Sequence, residues 1–144
     1  MLCSEIMKRH AYTATLDMTA QEAARLMSEN QIGFLPVCDI DRHPLGVVTD
    51  RDLALRVCAE NLPANSTLVS SIMTHDPLRC RADSSLDSAE ALMLAHKRRR
   101  ILLLDESGKL TGLITLADIA HHQDPLKVAH FVRGLSETRL RVEK

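Results

Sequence analysis

Two short constellations carry residue types suited to holding a polar small molecule. Gly46, Thr49 and Asp52 form a G-x-x-T-x-x-D motif, and Gly112, Thr115 and Asp118 repeat it 118 − 52 = 66 residues later. An ionised Asp offers two acceptor oxygens, so Asp52 or Asp118 can take both vicinal hydroxyls of a ribose at once. Thr49 or Thr115, three residues earlier at a strand end, adds a hydroxyl for sugar or phosphate, and the glycine has a backbone role. Each Asp lies near a helix N-terminus, where free amides and the helix dipole favour an anion. The plainer alternative is that Thr and Asp cap this helix. Repetition in both halves fits either reading.

The halves differ where a phosphate needs charge. Lys97-Arg98-Arg99-Arg100 precedes a strand in the second half, and Gln31-Ile32-Gly33-Phe34 stands there in the first. Arg51 precedes the first Asp, and Ala117 takes its place before the second. Guanidinium groups match phosphate oxygens in pairs. The competing reading of the run is a solvated basic rim. A nucleic-acid patch is disfavoured, because Lys+Arg of 18 against Asp+Glu of 19 leaves a net charge of −1 and aromatics are only 2%.

Composition narrows the class. Hydrophobic residues at 45% and charged residues at 26% of 144 describe a globular chain with room for two small units sharing a core. With only Tyr12, Phe34 and Phe131 as aromatics, the core is aliphatic. The longest aliphatic run, Ile101-Leu102-Leu103-Leu104, falls far short of the roughly 20 residues a bilayer demands. No secretion signal is visible, so a cytoplasmic protein with no membrane contact is expected. Cys3, Cys38, Cys58 and Cys80 form no C-x-x-C and read as reduced, mostly buried thiols. The seven histidines show no metal-ligand spacing, and adjacent His121 and His122 point to different sides of a helix. No Ser/His/Asp or Cys/His set and no Walker loop can be assigned, so no enzyme and no metal site is expected.

The elements that must position these residues recur with the same 66-residue offset. Ile6/Ile72, Met7/Met73, Ala23/Ala89, Met27/Met93, Asp39/Asp105 and Ala54/Ala120 are identical pairs. Each copy begins with a short helix, Ser4–Met7 or Ser70–Met73, and an extended stretch, Thr13–Thr15 or Leu78–Arg81. Thr19-Ala20-Gln21-Glu22 has capping-box form, and Ala20, Ala23, Ala24 and Met27 follow at helical spacing, echoed by Leu86, Ala89 and Met93. Strands over Phe34–Cys38 with Leu45–Val48, and Arg100–Leu104 with Leu110–Ile114, come next. Pro36 argues for an edge strand. Leu53, Ala54 and Val57 form one face of a closing helix. The fold class is therefore α+β, two β-α-β-β-α repeats packed sheet to sheet with pseudo-twofold symmetry. Residues 1–60 form repeat one, 61–66 a linker, 67–124 repeat two, and 125–144 a tail. Val128, Phe131, Val132 and Leu135 make that tail an amphipathic helix covering the module or a partner.

This doubled pattern, with G-x-x-T-x-x-D closing each third strand, resembles a tandem pair of CBS domains, the Bateman module, over roughly residues 2–124. Ile32-Gly33-Phe34-Leu35-Pro36-Val37 and Thr49-Asp50-Arg51-Asp52-Leu53 look typical of bacterial stand-alone pairs. The sequence departs from the family at Leu102, where Pro often stands and where Pro36 stands in repeat one. The resemblance implies an adenosine ligand (AMP, ADP, ATP, NAD or S-adenosylmethionine) in clefts between the repeats, with no cofactor required. Arg99 and Arg100 match phosphate-contacting positions of the family. Thr13, Ala14 and Thr15 with Ile32, Gly33, Phe34 and Val47 are expected to line one base slot, and Leu78, Cys80 and Leu113 beside the Arg99 strand start the other.

The function expected from these residues is a regulatory adenine-nucleotide sensor that acts through its own homodimer or through an effector protein. One alternative is a constitutive interaction scaffold with vestigial pockets. Another is a redox-responsive module using Cys38.

Overall fold

The structure is a computed structural model and describes residues 1–143, with side chains through residue 137. The last residue of the expected tail, Lys144, lies outside the described residues. The first copy of the repeat holds α1 (Cys3–Ile6), α2 (Ala20–Asn30), β1 (Phe34–Cys38), β2 (Pro44–Thr49) and α3 (Asp50–Leu53), which continues as a π turn over Ala54–Cys58. The second holds α4 (Val69–Ile72), β3 (Thr74–His75), β4 (Arg79–Arg81), α5 (Leu86–His96), β5 (Arg100–Leu104), β6 (Leu110–Thr115) and α6 (Leu116–His122). The helix α7 (Pro125–Glu143) follows. This is the mixed α/β repeat expected, carried on two three-stranded sheets.

The chain folds as two compact units that exchange their leading segments. Ala11–Pro77 form one unit, and Met1–His10 join the chain from Leu78 onward in the other. The α1 segment thus packs with the second copy's sheet, and α4 with β3 packs with the first copy's.

In the Ala11–Pro77 unit the strand order is β1-β2-β3, all antiparallel. Thr19 caps α2 as expected: its hydroxyl accepts the Glu22 N–H at 3.1 Å while the Glu22 carboxylate accepts the Thr19 N–H. Ala20, Ala23 and Met27 are buried, but Ala24 turns out to solvent. Carbonyls in and just after the linker are used as well, since Thr67 and Ala64 accept the N–H groups of Ala20 and Gln21. The expected closing-helix face is altered by the π turn: Val57 is buried, but Ala54 is exposed because the wider turn rotates it outward. Ala14, Leu35, Val37, Val48, Val69 and Ile72 fill this core.

In the other unit the order is β4-β5-β6, and β4 runs parallel to β5. Cys3, Ile6, Leu86, Ala89, Met93, Ile101, Leu103, Ile114 and Ile119 form its core. Phe131 and Leu135 of α7 are buried in that cluster, so the amphipathic stripe covers this unit. Pro125 opens α7, and the Asp124 carboxylate accepts the Leu126 and Lys127 N–H groups. Among the described residues no helix is long and apolar enough to cross a membrane.

Candidate ligand-binding site

The motif glycines serve the segment exchange. A Cβ on Gly112 would lie 2.7 Å from the Lys8 carbonyl oxygen and 2.8 Å from Met7 Sδ. One on Gly46 would lie 2.6 Å from the Thr74 carbonyl oxygen and 3.0 Å from Met73 Sδ. The repeated Met and the repeated Gly therefore meet across copies, Met7 with Gly112 and Met73 with Gly46.

The Thr and Asp of each motif form a reciprocal cap. Thr49 Oγ1 accepts the Asp52 N–H at 3.1 Å, and Asp52 Oδ2 accepts the Thr49 N–H at 2.9 Å. Thr115 and Asp118 repeat this at 3.3 and 2.8 Å. Capping, weighed as the plainer alternative, is thus realised in both copies and commits one oxygen of each carboxylate. The other oxygen faces a cation, Lys8 Nζ at 3.6 Å from Asp118 Oδ1 and Arg56 Nε at 3.8 Å from Asp52 Oδ1. Arg56 also donates to the Ile72 and Met73 carbonyls, tying the exchanged segment in place. Each motif carboxylate thus has one oxygen in the cap and one beside a cation.

Arg100 pairs with Thr115 across the β5–β6 ladder, and the Leu116 N–H donates to the Arg99 carbonyl at 2.9 Å. That register gathers Arg99, Arg100 and Thr115 on one cleft of about 500 Å³, completed by Leu116, Ala117, Ala120 and Val132. The volume falls within the range of small-molecule sites. The same register in the first copy pairs Phe34 with Thr49 and bonds the Asp50 N–H to the Gly33 carbonyl. A Cβ on Gly33 would meet Asp50 Oδ2 at 2.5 Å, so a carboxylate covers the position that Arg99 occupies in the second copy. The first copy offers an anion where the second offers two cations. Arg51 lies exposed on α3, and among the described residues it does not line the cleft.

The expected base-slot residues have other duties. Ala14 is wholly buried and bridges β1, donating to the Pro36 carbonyl and accepting the Cys38 N–H. Val47 and Leu113 are buried within their sheets, and Leu78 and Cys80 pack against a core cluster. Thr15 exposes a hydroxyl that donates to Asp17. Thr13, Ile32, Gly33 and Phe34 are half-buried. The apolar walls of the cleft are instead Leu116, Ala117, Ala120 and Val132. The sequence places Asp50 in the motif stretch and Val132 in the tail stripe, without marking either as a site residue. The Asp50/Leu116 mismatch in the repeat was the available signal for the first.

Cys3 and Cys38 are buried, Cys80 is half-buried and Cys58 is exposed. Burial pushes the Cys3 thiol up to about 12, reinforced by the neighbouring Cys80, and burial likewise raises Cys38 and Cys80. At the β1–β2 turn Asp39, Asp41 and His43 bring ligand-type atoms within 4.8 Å of one another. Asp39 builds this turn: its Oδ1 accepts the His43 and Asp41 N–H groups, which hold its carboxyl below the ordinary value. Asp105 builds the matching turn with Ser107 and Lys109, without such a cluster.

The two copies of the β-α-β-β-α unit, with a basic cleft at one strand end of the second, have the architecture of a paired small-domain module. The family model for the CBS domain matches residues 3–58 and 69–124, and the chain belongs to that family. CBS modules are non-catalytic regulatory units, and this chain is not an enzyme. The Bacillus subtilis protein YlbB is 41% identical over 110 residues, 76% of this chain and 72% of its own. The crystal structure of Hypoxic Response Protein I, which holds two coordinated zinc ions, matches with TM-score 0.76 and 29% identity, covering 86% of this chain and all of that one. The CBS pair of protein MJ0100, solved with 5′-methylthioadenosine and S-adenosyl-L-methionine, shares the fold at TM-score 0.74 and 23% identity, over 84% of this chain and 94% of that one. Relatives extend to Methanopyrus kandleri and Dictyostelium discoideum, so the match defines a class of module and not a bacterial type.

Proposed function

We propose that the chain is a regulatory module whose second-copy cleft binds the phosphate of an adenine nucleotide of the AMP, ADP, ATP or NAD kind. The observation that carries this reading is the convergence of Arg99, Arg100 and Thr115 on one cleft, against Asp50 over Gly33 in the first copy. Two guanidinium groups and a hydroxyl match phosphate oxygens, and a cleft of about 500 Å³ has room for more than the anion. The MJ0100 pair supports an adenosyl body, since a module of this fold holds two adenosyl compounds. In this reading the nucleotide favours one of two states of a homodimer or of a complex with an effector protein, in the reducing cytoplasm. Sedimentation should show a dimer at tens of micromolar, a concentration on the order of ordinary oligomer affinities.

A second reading has its own support. Hypoxic Response Protein I holds zinc, and Asp39, Asp41 and His43 stand within ligating distance of one another here. In that reading the module answers to metal or thiol chemistry, and the clefts are vestigial.

Calorimetry with AMP, ADP, ATP, NAD, S-adenosylmethionine, adenosine and zinc separates the two. The nucleotide reading expects AMP to bind more tightly than adenosine, with the difference shrinking in Arg100→Ala and at high salt. Saturable zinc binding without any nucleotide response overturns it in favour of the second reading.

A further inference from the structure

Helix α7 does more than cover a core. Phe131 and Leu135 anchor it in the cluster of Leu86, Ala89 and Met93. Lys97 Nζ donates to the Gly134 carbonyl at 2.7 Å, so the first cation of the basic run is used on this helix. Gly134 sits against the tip of the Leu94 side chain, where a Cβ would lie 2.8 Å from Leu94 Cδ2. Held this way, α7 brings Val132, still 40% exposed, to the lining of the cleft along with the small side chains Ala117 and Ala120 of α6. The first copy is followed by linker residues that bond back onto α2 and has no such wall.

We propose that Val132 is a specificity-determining residue of the cleft, packing with Leu116, Ala117 and Ala120 against the nucleoside body while Arg99 and Arg100 hold the phosphate. This rests on the nucleotide reading above and adds which surface reads the rest of the ligand. A flat, weakly polar base suits such a wall, and a small inorganic anion needs only the arginines and Thr115. Lys97 is then a positioning residue that acts through the seat of α7.

The test compares AMP with inorganic pyrophosphate by calorimetry on the full chain. Val132→Phe fills the space beside the wall at a partly exposed position that tolerates bulk. AMP affinity should fall by about tenfold, as overpacking implies, while pyrophosphate binding holds. Lys97→Met, which frees the Gly134 carbonyl, should shift the same ratio in the same direction by a smaller factor. Wild-type AMP-to-pyrophosphate ratios in both variants overturn the role of α7 and leave the nucleotide site standing. Failure of the wild type to bind AMP at all overturns the nucleotide reading and this inference together.

Discussion

The backbone N–H of Leu102 donates to the Leu78 carbonyl at 2.9 Å, and this one bond opens the parallel pairing of β4 with β5. The matching position in the first copy is Pro36, which has no N–H to give. There the chain makes only a single bridge, Ala14 with Val37, and no three-residue strand forms. The departure from the family at Leu102 therefore adds a strand beside β5, whose first residue is Arg100, and helps fix the arginines that line the cleft.

Replacing Leu102 with Pro should remove the donor and strand the Leu78 carbonyl. We expect a loss of about 2 kcal/mol in urea unfolding, since β5 is the central strand of its sheet and proline there removes a ladder hydrogen bond. Leu102→Met, which keeps the N–H and most of the volume, should cost under about 1.5 kcal/mol. Equal losses in the two variants would assign the effect to side-chain packing alone.

Asp118 combines a cap with a carboxylate oxygen directed at Lys8, and two substitutions separate these roles. Asp118→Ala should cost about 1–2 kcal/mol of stability through the lost cap. Asp118→Asn retains an acceptor for the Thr115 N–H and should stay near wild type in the same urea titration. If Asp118 takes the ribose, as the nucleotide reading proposes, both should weaken AMP by at least about tenfold through loss of a charged acceptor. Unchanged AMP affinity in Asp118→Asn would make the aspartate a cap only. Asp52→Ala should lose its cap likewise, with little effect on AMP bound beside Arg100.

Much of this arrangement is legible in the residues. The capping box at Thr19 and Glu22, the buried stripe Ala20–Ala23–Met27 and the paired apolar strands follow from spacing, and Arg99 and Arg100 of the basic run mark the cleft. The segment exchange does not follow, because both copies begin alike and nothing in the pattern says which sheet receives Met7. It becomes readable only once Gly112 is seen to need the Lys8 backbone beside it. The place of Asp50 does not follow from the sequence either, since a carboxylate beside a motif reads as solvated until its contact with Gly33 is known. The base-slot residues carry a related ambiguity. Ala14 and Val47 look small and apolar, qualities that serve a core as well as a ligand.

Glu90 gives a pH-dependent test of the α5–α6 junction. Burial raises its carboxyl above the ordinary 4.5, partly opposed by the hydrogen bond from Gln123 Nε2 at 2.8 Å. Between the ordinary value and the raised one the folded state binds more protons than the unfolded, so stability falls as pH rises through that window. Glu90→Gln removes the charge and keeps an acceptor for Gln123. The variant should melt higher than wild type at pH 7, and the gain should vanish below the ordinary value of 4.5. A gain that persists at low pH would point to packing and not to the buried charge.

The thiols provide a test of whether redox chemistry can reach this fold without opening it. Cys58 is exposed on the π turn, whereas Cys3 and Cys38 are buried in separate core clusters or sheets. The thiolate is the reactive form, and a thiol with a pKa of about 12 is ionised in only about one molecule in ten thousand at pH 8. Maleimide labelling of the folded protein at that pH should modify Cys58 first and Cys80 slowly. Cys3 and Cys38 should react only under denaturant. A redox-responsive module using Cys38 demands the reverse, a thiol that reacts while the sheet is intact. If Cys38 labels at the rate of Cys58 without denaturant, β1 opens locally and the thiol reading gains the access it lacks in this fold. If it stays protected while added zinc is bound, metal chemistry remains as the competitor to the nucleotide cleft, and the thiol is removed from the argument.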